Sequence, residues 1–163
     1  MITMIACVDK NMGIGKDNKL LAHLPKDLNH FKETTLGQIC VFGRNTYESL
    51  PKKPLPNRAN VVLTRDKNAI YIGCKVVRHL DAIIRLSKIY NVFICGGENV
   101  YKQFMPYADE LIISHMDADL EADTFFPNID EYQWIPSEPT KVEDTINFKI
   151  IKYRRELTNH DTI

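Results

Sequence analysis

One carboxylate, four arginine- and glycine-bearing turns and a proline-rich loop are the features of this 163-residue chain that could do chemistry. The carboxylate is Asp27, in Leu24-Pro25-Lys26-Asp27-Leu28-Asn29-His30-Phe31. Pro25 suits the first turn of a helix, where its missing N–H satisfies nothing that would be bonded anyway. Asp27 then falls in that first turn, beside Leu28 and one turn before Phe31, at the border of the apolar face. Two readings stand. It is a helix-start acid that complements the macrodipole, or it is a carboxylate aimed into a cleft for proton chemistry.

Gly96-Gly97 stands between the apolar Val92-Phe93-Ile94-Cys95 and Glu98-Asn99-Val100-Tyr101. A strand, a glycine pair and a helix can cradle a phosphate, because backbone N–H groups approach closely and the helix start favours negative charge. The sequence is neither a dinucleotide fingerprint nor a P-loop, and a plain tight turn is served equally well. Phe42-Gly43-Arg44-Asn45-Thr46-Tyr47 repeats the pattern. Arg44 at a helix start opposes the dipole, which a bound phosphate would reconcile. Arg65, just after Val61-Val62-Leu63-Thr64, could complete a paired guanidinium site for a 2′-phosphate and so select NADP over NAD. Two solvated surface arginines are the alternative. Arg58 closes the proline-rich loop 51–58, suited to bidentate capture of a ligand carboxylate or to a surface salt bridge.

The elements that must position these groups read as an α/β domain. Short apolar runs predict strands over 2–8, 39–42, 60–64, 75–77, 92–95 and 110–115. Their near-continuous hydrophobicity marks strands covered on both faces. Helical spacing predicts helices over 26–34, 80–90 and 99–105, the last stopped by Pro106, with another after Gly43. Alternation of the two implies a largely parallel sheet. Residues 133–137 and 147–155 read as two further, antiparallel strands. The polar loop 10–23 carries Gly13 and Gly15 and follows the first strand, where α/β proteins place ligands. One domain over 1–157 and a polar tail over 158–163 are expected.

Composition excludes other classes. The formal net charge is zero, with 26% charged and 44% hydrophobic residues, so the overall balance supports no basic nucleic-acid footprint, a local patch aside. Cys7, Cys40, Cys74 and Cys95 form no CxxC pair, and the five histidines form no ligand spacing, so no metal is expected. Three of the cysteines lie in apolar runs, as reduced thiols of a cytoplasmic protein would. The apolar N-terminus is too short for a signal peptide or a membrane span. The serines lie in no nucleophile elbow. No hydrophobic stripe demands a partner, so a monomer is expected.

Taken in chain order, the motifs resemble the bacterial, monomeric type of dihydrofolate reductase. The series is Ile5-Ala6, Gly13-Ile14-Gly15, Leu24-Pro25-x-Asp27-Leu28-x-x-Phe31-Lys32, Thr35, Gly43-Arg44-x-Thr46-x-x-Ser49, Pro54-Leu55-Pro56-x-Arg58, Gly96-Gly97-x-x-Val100-Tyr101 and Asp123-Thr124-x-Phe126-Pro127. The resemblance covers nearly the whole chain and implies a single domain with an eight-stranded, mixed, mostly parallel sheet flanked by helices. It implies reduction of 7,8-dihydrofolate by NADPH, hydride passing from nicotinamide C4 to pterin C6, with Asp27 promoting protonation at N5 through a water. Antifolate inhibitors would be further ligands.

The same resemblance distributes roles. Ile5, Ala6, Ala22, Leu28, Phe31, Leu50, Cys95 and Tyr101 would line the folate pocket. Arg58 would take the α-carboxylate of the glutamate tail, and Ser114, where the family usually has threonine, would hydrogen-bond Asp27. Ala6, Cys7, Ile14 and Gly15 would meet the nicotinamide end of the cofactor, and Cys95 and Tyr101 both ligands. Arg44, Thr46 and Arg65 would hold its phosphates, with Arg44 and Arg65 at the 2′-phosphate, and Gly43, Asn45, Leu63 and Thr64 would be further cofactor-binding residues. Gly96 and Gly97, joined by a cis peptide, would approach the pyrophosphate, and Glu98, Asn99, Val100 and Gln103 would be further cofactor-binding residues. The loop from Asn11 to His23 would be a mobile lid.

Departures from the family pattern are local. Leu21-Ala22 replaces Pro-Trp, which removes an indole from the folate pocket and a fixed φ from the lid's exit. Cys95 replaces an aliphatic residue, Phe42 a methionine, and Ala122 a glycine. Two rival functions follow: a reductase of a pyrimidine or flavin precursor on the same architecture, which would lack the Leu-Pro-x-Asp series, and a folate- or nucleotide-binding protein of feeble catalysis, which the loss at Ala22 would suit.

Overall fold

The computed structural model describes residues 1–130 and 133–156. Strands β1 (Ile2–Val8), β4 (Ile39–Gly43), β5 (Ala59–Leu63), β6 (Cys74–Val77), β7 (Val92–Ile94), β8 (Glu110–Met116), β10 (Trp134–Pro136), β11 (Thr140–Val142) and β12 (Phe148–Arg155) form one sheet. The order across it is β10-β12-β8-β1-β7-β4-β5-β6, with β11 paired to β12 outside that path. All pairings from β8 through β1 to β6 are parallel, and those of β12 are antiparallel. The expected eight strands are thus the continuous path, and β11 is a ninth that the polar loop 137–147 conceals.

Helices α1 (Pro25–Thr35), α2 (Arg44–Ser49), α3 (Leu80–Ser87) and α4 (Glu98–Phe104) flank the sheet, α4 running on into a 3₁₀ turn over Met105–Tyr107. Pro106 therefore tightens the end of α4 rather than cutting it off. Helix α3 stops short of the expected residue 90, and its last N–H groups fold back onto Arg85 and Leu86 as a turn. The main core joins Met4, Val8, Val41, Ile94, Leu111 and Ile113 of the central strands to Ile83, Val100 and Phe104 of α3 and α4. These strands are buried on both faces, which is why their sequences are nearly continuous apolar runs.

Strands β2 (Gly13–Lys16), β3 (Lys19–Leu20) and β9 (Thr124–Phe125) make a second, small sheet of order β3-β2-β9. It gives the predicted lid loop a frame. Buried Asp9 roots it: Oδ1 accepts the N–H groups of Asn11 and Gly13 at 2.9 and 2.8 Å, and Oδ2 that of Leu120 at 3.0 Å. A Cβ on Gly13 would lie 2.3 Å from the Ala122 Cβ, so only glycine fits beside the alanine that replaces the family's glycine. The expected tail 158–163 lies outside the described residues. No described helix is long and apolar enough to cross a membrane.

Candidate active site

Asp27 sits in the first turn of α1, half-buried, and its Oδ1 accepts the Ser114 hydroxyl at 2.6 Å. Ser114 is a central residue of β8, only 2% exposed and paired in register with Cys7 of β1. A different acid serves the start of α1: the Lys26 N–H donates to Asp144 Oδ2 at 2.9 Å. The structure therefore turns Asp27 inward, to the sheet, and favours the cleft reading over the helix-start one.

A cavity opens beside this pair, lined by Cys7, Ile14, Leu20, Leu21, Ala22, Leu24, Asp27, Leu28 and Met116. Five sequence candidates thus meet on one wall: Cys7, Ile14, Ala22, Asp27 and Leu28. Burial, aided by the nearby Asp27 carboxylate, pushes the Cys7 thiol far up, so it is a neutral wall residue and not a nucleophile. Tyr101 of α4 is buried, and its hydroxyl donates to the Ile5 carbonyl at 2.7 Å. Burial raises its pKa, with Cys95, Cys7 and Asp27 adding to the effect. His30 packs one turn beyond Asp27. Burial lowers its pKa against the pull of Asp27, and its Nε2 has no protein partner among the described residues.

The cleft continues along α1. The Arg58 guanidinium carbon lies 5.9 Å from the centre of the Phe31 ring, its Nη1 donates to Thr35 Oγ1 at 3.3 Å, and its Nε to the Pro56 carbonyl at 2.9 Å. The loop that presents Arg58 contains a cis Lys53-Pro54 peptide. Buried Asn60 clamps it by exchanging hydrogen bonds with the Leu55 backbone, both at 2.9 Å. Phe31 and Cys95 pack together on Ile5 and Phe93, while Leu50 joins Cys95 on the Cys40, Phe42 and Tyr47 cluster.

The two glycine turns converge. Gly43 N–H donates to the Gly96 carbonyl at 2.8 Å, and the Gly96-Gly97 peptide is cis. A Cβ on Gly97 would fall 2.8 Å from Thr46 Oγ1, and one on Gly43 2.9 Å from Val100. Neither α2 nor α4 has a side-chain cap at its N-cap glycine, so their first N–H groups have no capping side chain. Bare glycine backbone beside two uncapped helix starts is a donor set that suits an anion. Arg44 is less available than expected: its Nε meets Glu48 at 3.1 Å and its Nη1 meets Asp66 at 3.0 Å. Those carboxylates resolve the opposition between cation and helix start. Arg65 is exposed just beyond β5, next to Leu63 and Thr64, while Asn45, Asn99 and Gln103 are exposed on their helices.

Sequence reasoning missed Asp9, Asn60, Asp144 and Met116. An Asp followed four residues later by Gly is a loop-turn signal that could have pointed to Asp9; Asn60 bonds the nearby Leu55 and Arg58 backbone, while Asp144 and Met116 act across long sequence separations. Among the described residues no cluster of three or more His, Cys, Asp or Glu side chains could hold a metal ion.

Fold and site together define a single-domain α/β protein with a carboxylate-bearing cavity and, apart from it, two converging glycine turns at helix starts. The family model for dihydrofolate reductase matches residues 1–155. The dihydrofolate reductase of Neisseria gonorrhoeae is 40% identical over 141 residues, covering 86% of this chain and 87% of that one. That of Bacillus subtilis is 41% identical over 135 residues (82% and 80%), and the type 3 enzyme of Salmonella typhimurium 42% over 135 (82% and 83%). The solved structure of the Enterococcus faecalis dihydrofolate reductase complexed with NADP(H) and RAB-propyl is similar, with a TM-score of 0.91 and 32% identity over 96% of this chain and 97% of that one. The chain belongs to the dihydrofolate reductase family, whose members are NADPH-dependent oxidoreductases.

Proposed function

We propose that the chain reduces 7,8-dihydrofolate to 5,6,7,8-tetrahydrofolate with NADPH, serving one-carbon metabolism and nucleotide precursor synthesis, and that Asp27 is its proton-handling group. The observation that carries this reading is the Asp27 carboxylate fixed by Ser114 in a cavity walled by Ile14 of the lid. When bound, the cofactor supplies the hydride to pterin C6. Asp27 holds the pterin ring by hydrogen bonding and promotes protonation at N5 through a water, which completes addition across the C6–N5 double bond. Ser114 sets the orientation of the carboxylate. Leu28, Phe31 and Leu50 exclude water from the ring and benzoyl group, and Arg58 takes the glutamate α-carboxylate. Gly43, Thr46, Gly96 and Gly97 fit a pyrophosphate, with Arg44 and Arg65 at the 2′-phosphate. The protein acts as a cytoplasmic monomer, and antifolates compete for the pocket of Asp27.

A spectrophotometric assay of NADPH oxidation with dihydrofolate tests this, with NADH in parallel. Turnover that requires both substrates and prefers NADPH is expected. Ligand binding without turnover would instead favour the weak-catalysis reading, which rests on Leu21-Ala22 in the cavity wall.

A further inference from the structure

Glu98 is the first residue of α4, directly after the glycine pair. Both of its carboxylate oxygens are engaged. Oε2 accepts the Phe125 N–H at 2.7 Å, and Oε1 takes Lys102 Nζ at 3.0 Å. Phe125 belongs to β9, the strand that pairs with β2, opposite Gly13. The two segments are further joined by Phe126 N–H to the Met12 carbonyl at 2.8 Å and Asp123 N–H to the Gly15 carbonyl at 3.0 Å. Between those bonds lies Ile14, on the wall of the Asp27 cavity. Tyr101, one turn along α4, braces the same contact, its ring centre 4.8 Å from that of Phe126. A carboxylate beside a phosphate cradle repels the ligand unless its charge is otherwise used. Here the Phe125 N–H and Lys102 both favour the ionised form and lower its pKa.

We propose that Glu98 is a positioning residue for the cofactor: it ties the glycine-pair end of the cleft to β9, and through β9 holds β2 and Ile14 over the nicotinamide side, so that cofactor escapes slowly. The assignment rests on the dihydrofolate reductase reading above. It differs from a direct cofactor contact, because the carboxylate is spent on the Phe125 backbone N–H and on the Lys102 ammonium.

The full chain carrying Glu98→Ala or Glu98→Gln tests it. A hydrogen bond to a charged acceptor is worth about 1.5–3 kcal/mol, so Glu98→Ala should speed NADPH dissociation roughly tenfold or more, one factor of ten per 1.4 kcal/mol. The KM for dihydrofolate should stay near wild type. Hydrogen exchange without cofactor should rise across residues 12–16 and 123–126 and not in β1 or β8. Glu98→Gln keeps an acceptor without the charge and should recover most of the loss. Release from Glu98→Ala that is unchanged or slower, as simple removal of a repelling charge would give, overturns the proposal. If Glu98→Ala does not fold, Glu98→Asp, which keeps the charge but shortens the reach, must show the accelerated release instead, and wild-type release from it also overturns the proposal. Failure of the parent protein to bind NADPH would sink the cofactor reading alone, while the exchange measurement would still decide the tether.

Discussion

The two ends of the cleft are built by different means. At the folate end, Asp27 is held by a serine buried in the central strand β8, and Tyr101 is bonded to the backbone of β1. Those partners cannot move without disturbing the core. At the phosphate end the glycine cradle is backbone, but the charged group beside it, Arg44, is exposed and paired to two surface carboxylates. Exposed pairs of this kind are screened by water and hold weakly, so an incoming phosphate can displace them. On the proposed reading, chemistry is positioned by the core, and cofactor choice by exchangeable surface charge. Substitutions at the first end should change rate, and those at the second should change which cofactor is used.

The largest expected effect tests the first half of that contrast. Asp27→Asn should keep NADPH binding and lose neutral turnover by roughly 10²–10⁴, the usual worth of a general acid or base. Activity should recover partly in acid, as substrate arrives already protonated. Rate against pH and NADPH affinity check this, and undiminished neutral turnover would remove Asp27 from proton handling.

Next comes the root of the lid, where buried anchoring extends out of the core. Burial raises the carboxyl pKa of Asp9, but the Leu120, Gly13 and Asn11 N–H groups more than offset it and leave it below its ordinary value. A lowered folded-state pKa means that the stabilisation is present above the ordinary carboxylate value and is lost as pH falls through the lowered one. Asp9→Asn keeps the Oδ1 acceptor but turns an NH₂ toward the Leu120 N–H. It should cost about 1–3 kcal/mol at neutral pH, with the gap to wild type narrowing in acid. Urea unfolding at the two pH values measures it. A loss confined to cofactor selectivity, with stability intact, would break the division between the two ends.

At the phosphate end, Arg44→Ala should raise the KM for NADPH roughly tenfold through the lost charge-assisted pairing with the 2′-phosphate. The KM for NADH should barely move. Equal losses with both cofactors would assign Arg44 to the structure of α2, through its Glu48 and Asp66 pairs, and not to cofactor choice.

How much of this was legible in sequence follows the same division. The central strands could be read because burial on both faces leaves continuous apolar runs, as in Met4 to Val8 or Val92 to Ile94. Strands β2, β3, β9 and β11, of two to four residues, could not: they are held by backbone pairing and by Asp9, which leave no periodicity. Spacing alone left Asp27 ambiguous, since any first-turn acid suits a dipole. The ordered motifs gave it a role, and the Ser114 and Asp144 bonds made its orientation visible. Arg44 was readable as an anomaly, but its partner Asp66 lies 22 residues away, beyond local pattern. The same holds for Glu98 and Phe125, 27 residues apart.

The smallest expected effect sharpens the folate end itself. Ala22 shares a cavity wall with Leu20, Leu21, Leu24 and Met116, where relatives of the usual pattern carry an indole. Ala22→Trp would restore an aromatic wall beside Asp27, and an aromatic contact adds roughly 0.5–1.5 kcal/mol beyond burial. Overpacking opposes it, at about 1–3 kcal/mol for a core that cannot yield. The site is not a closed core, however: Ala22 is only half-buried and Leu20 is 71% exposed, so the neighbours can give way. The aromatic gain should therefore dominate, lowering antifolate inhibition constants by a factor of about ten or less, for a change near 1 kcal/mol. Thermal unfolding should be unchanged. Equal inhibition constants for the two proteins would mean that the missing indole does not limit antifolate binding, and that the pocket's affinity is set by Asp27 and the walls other than position 22.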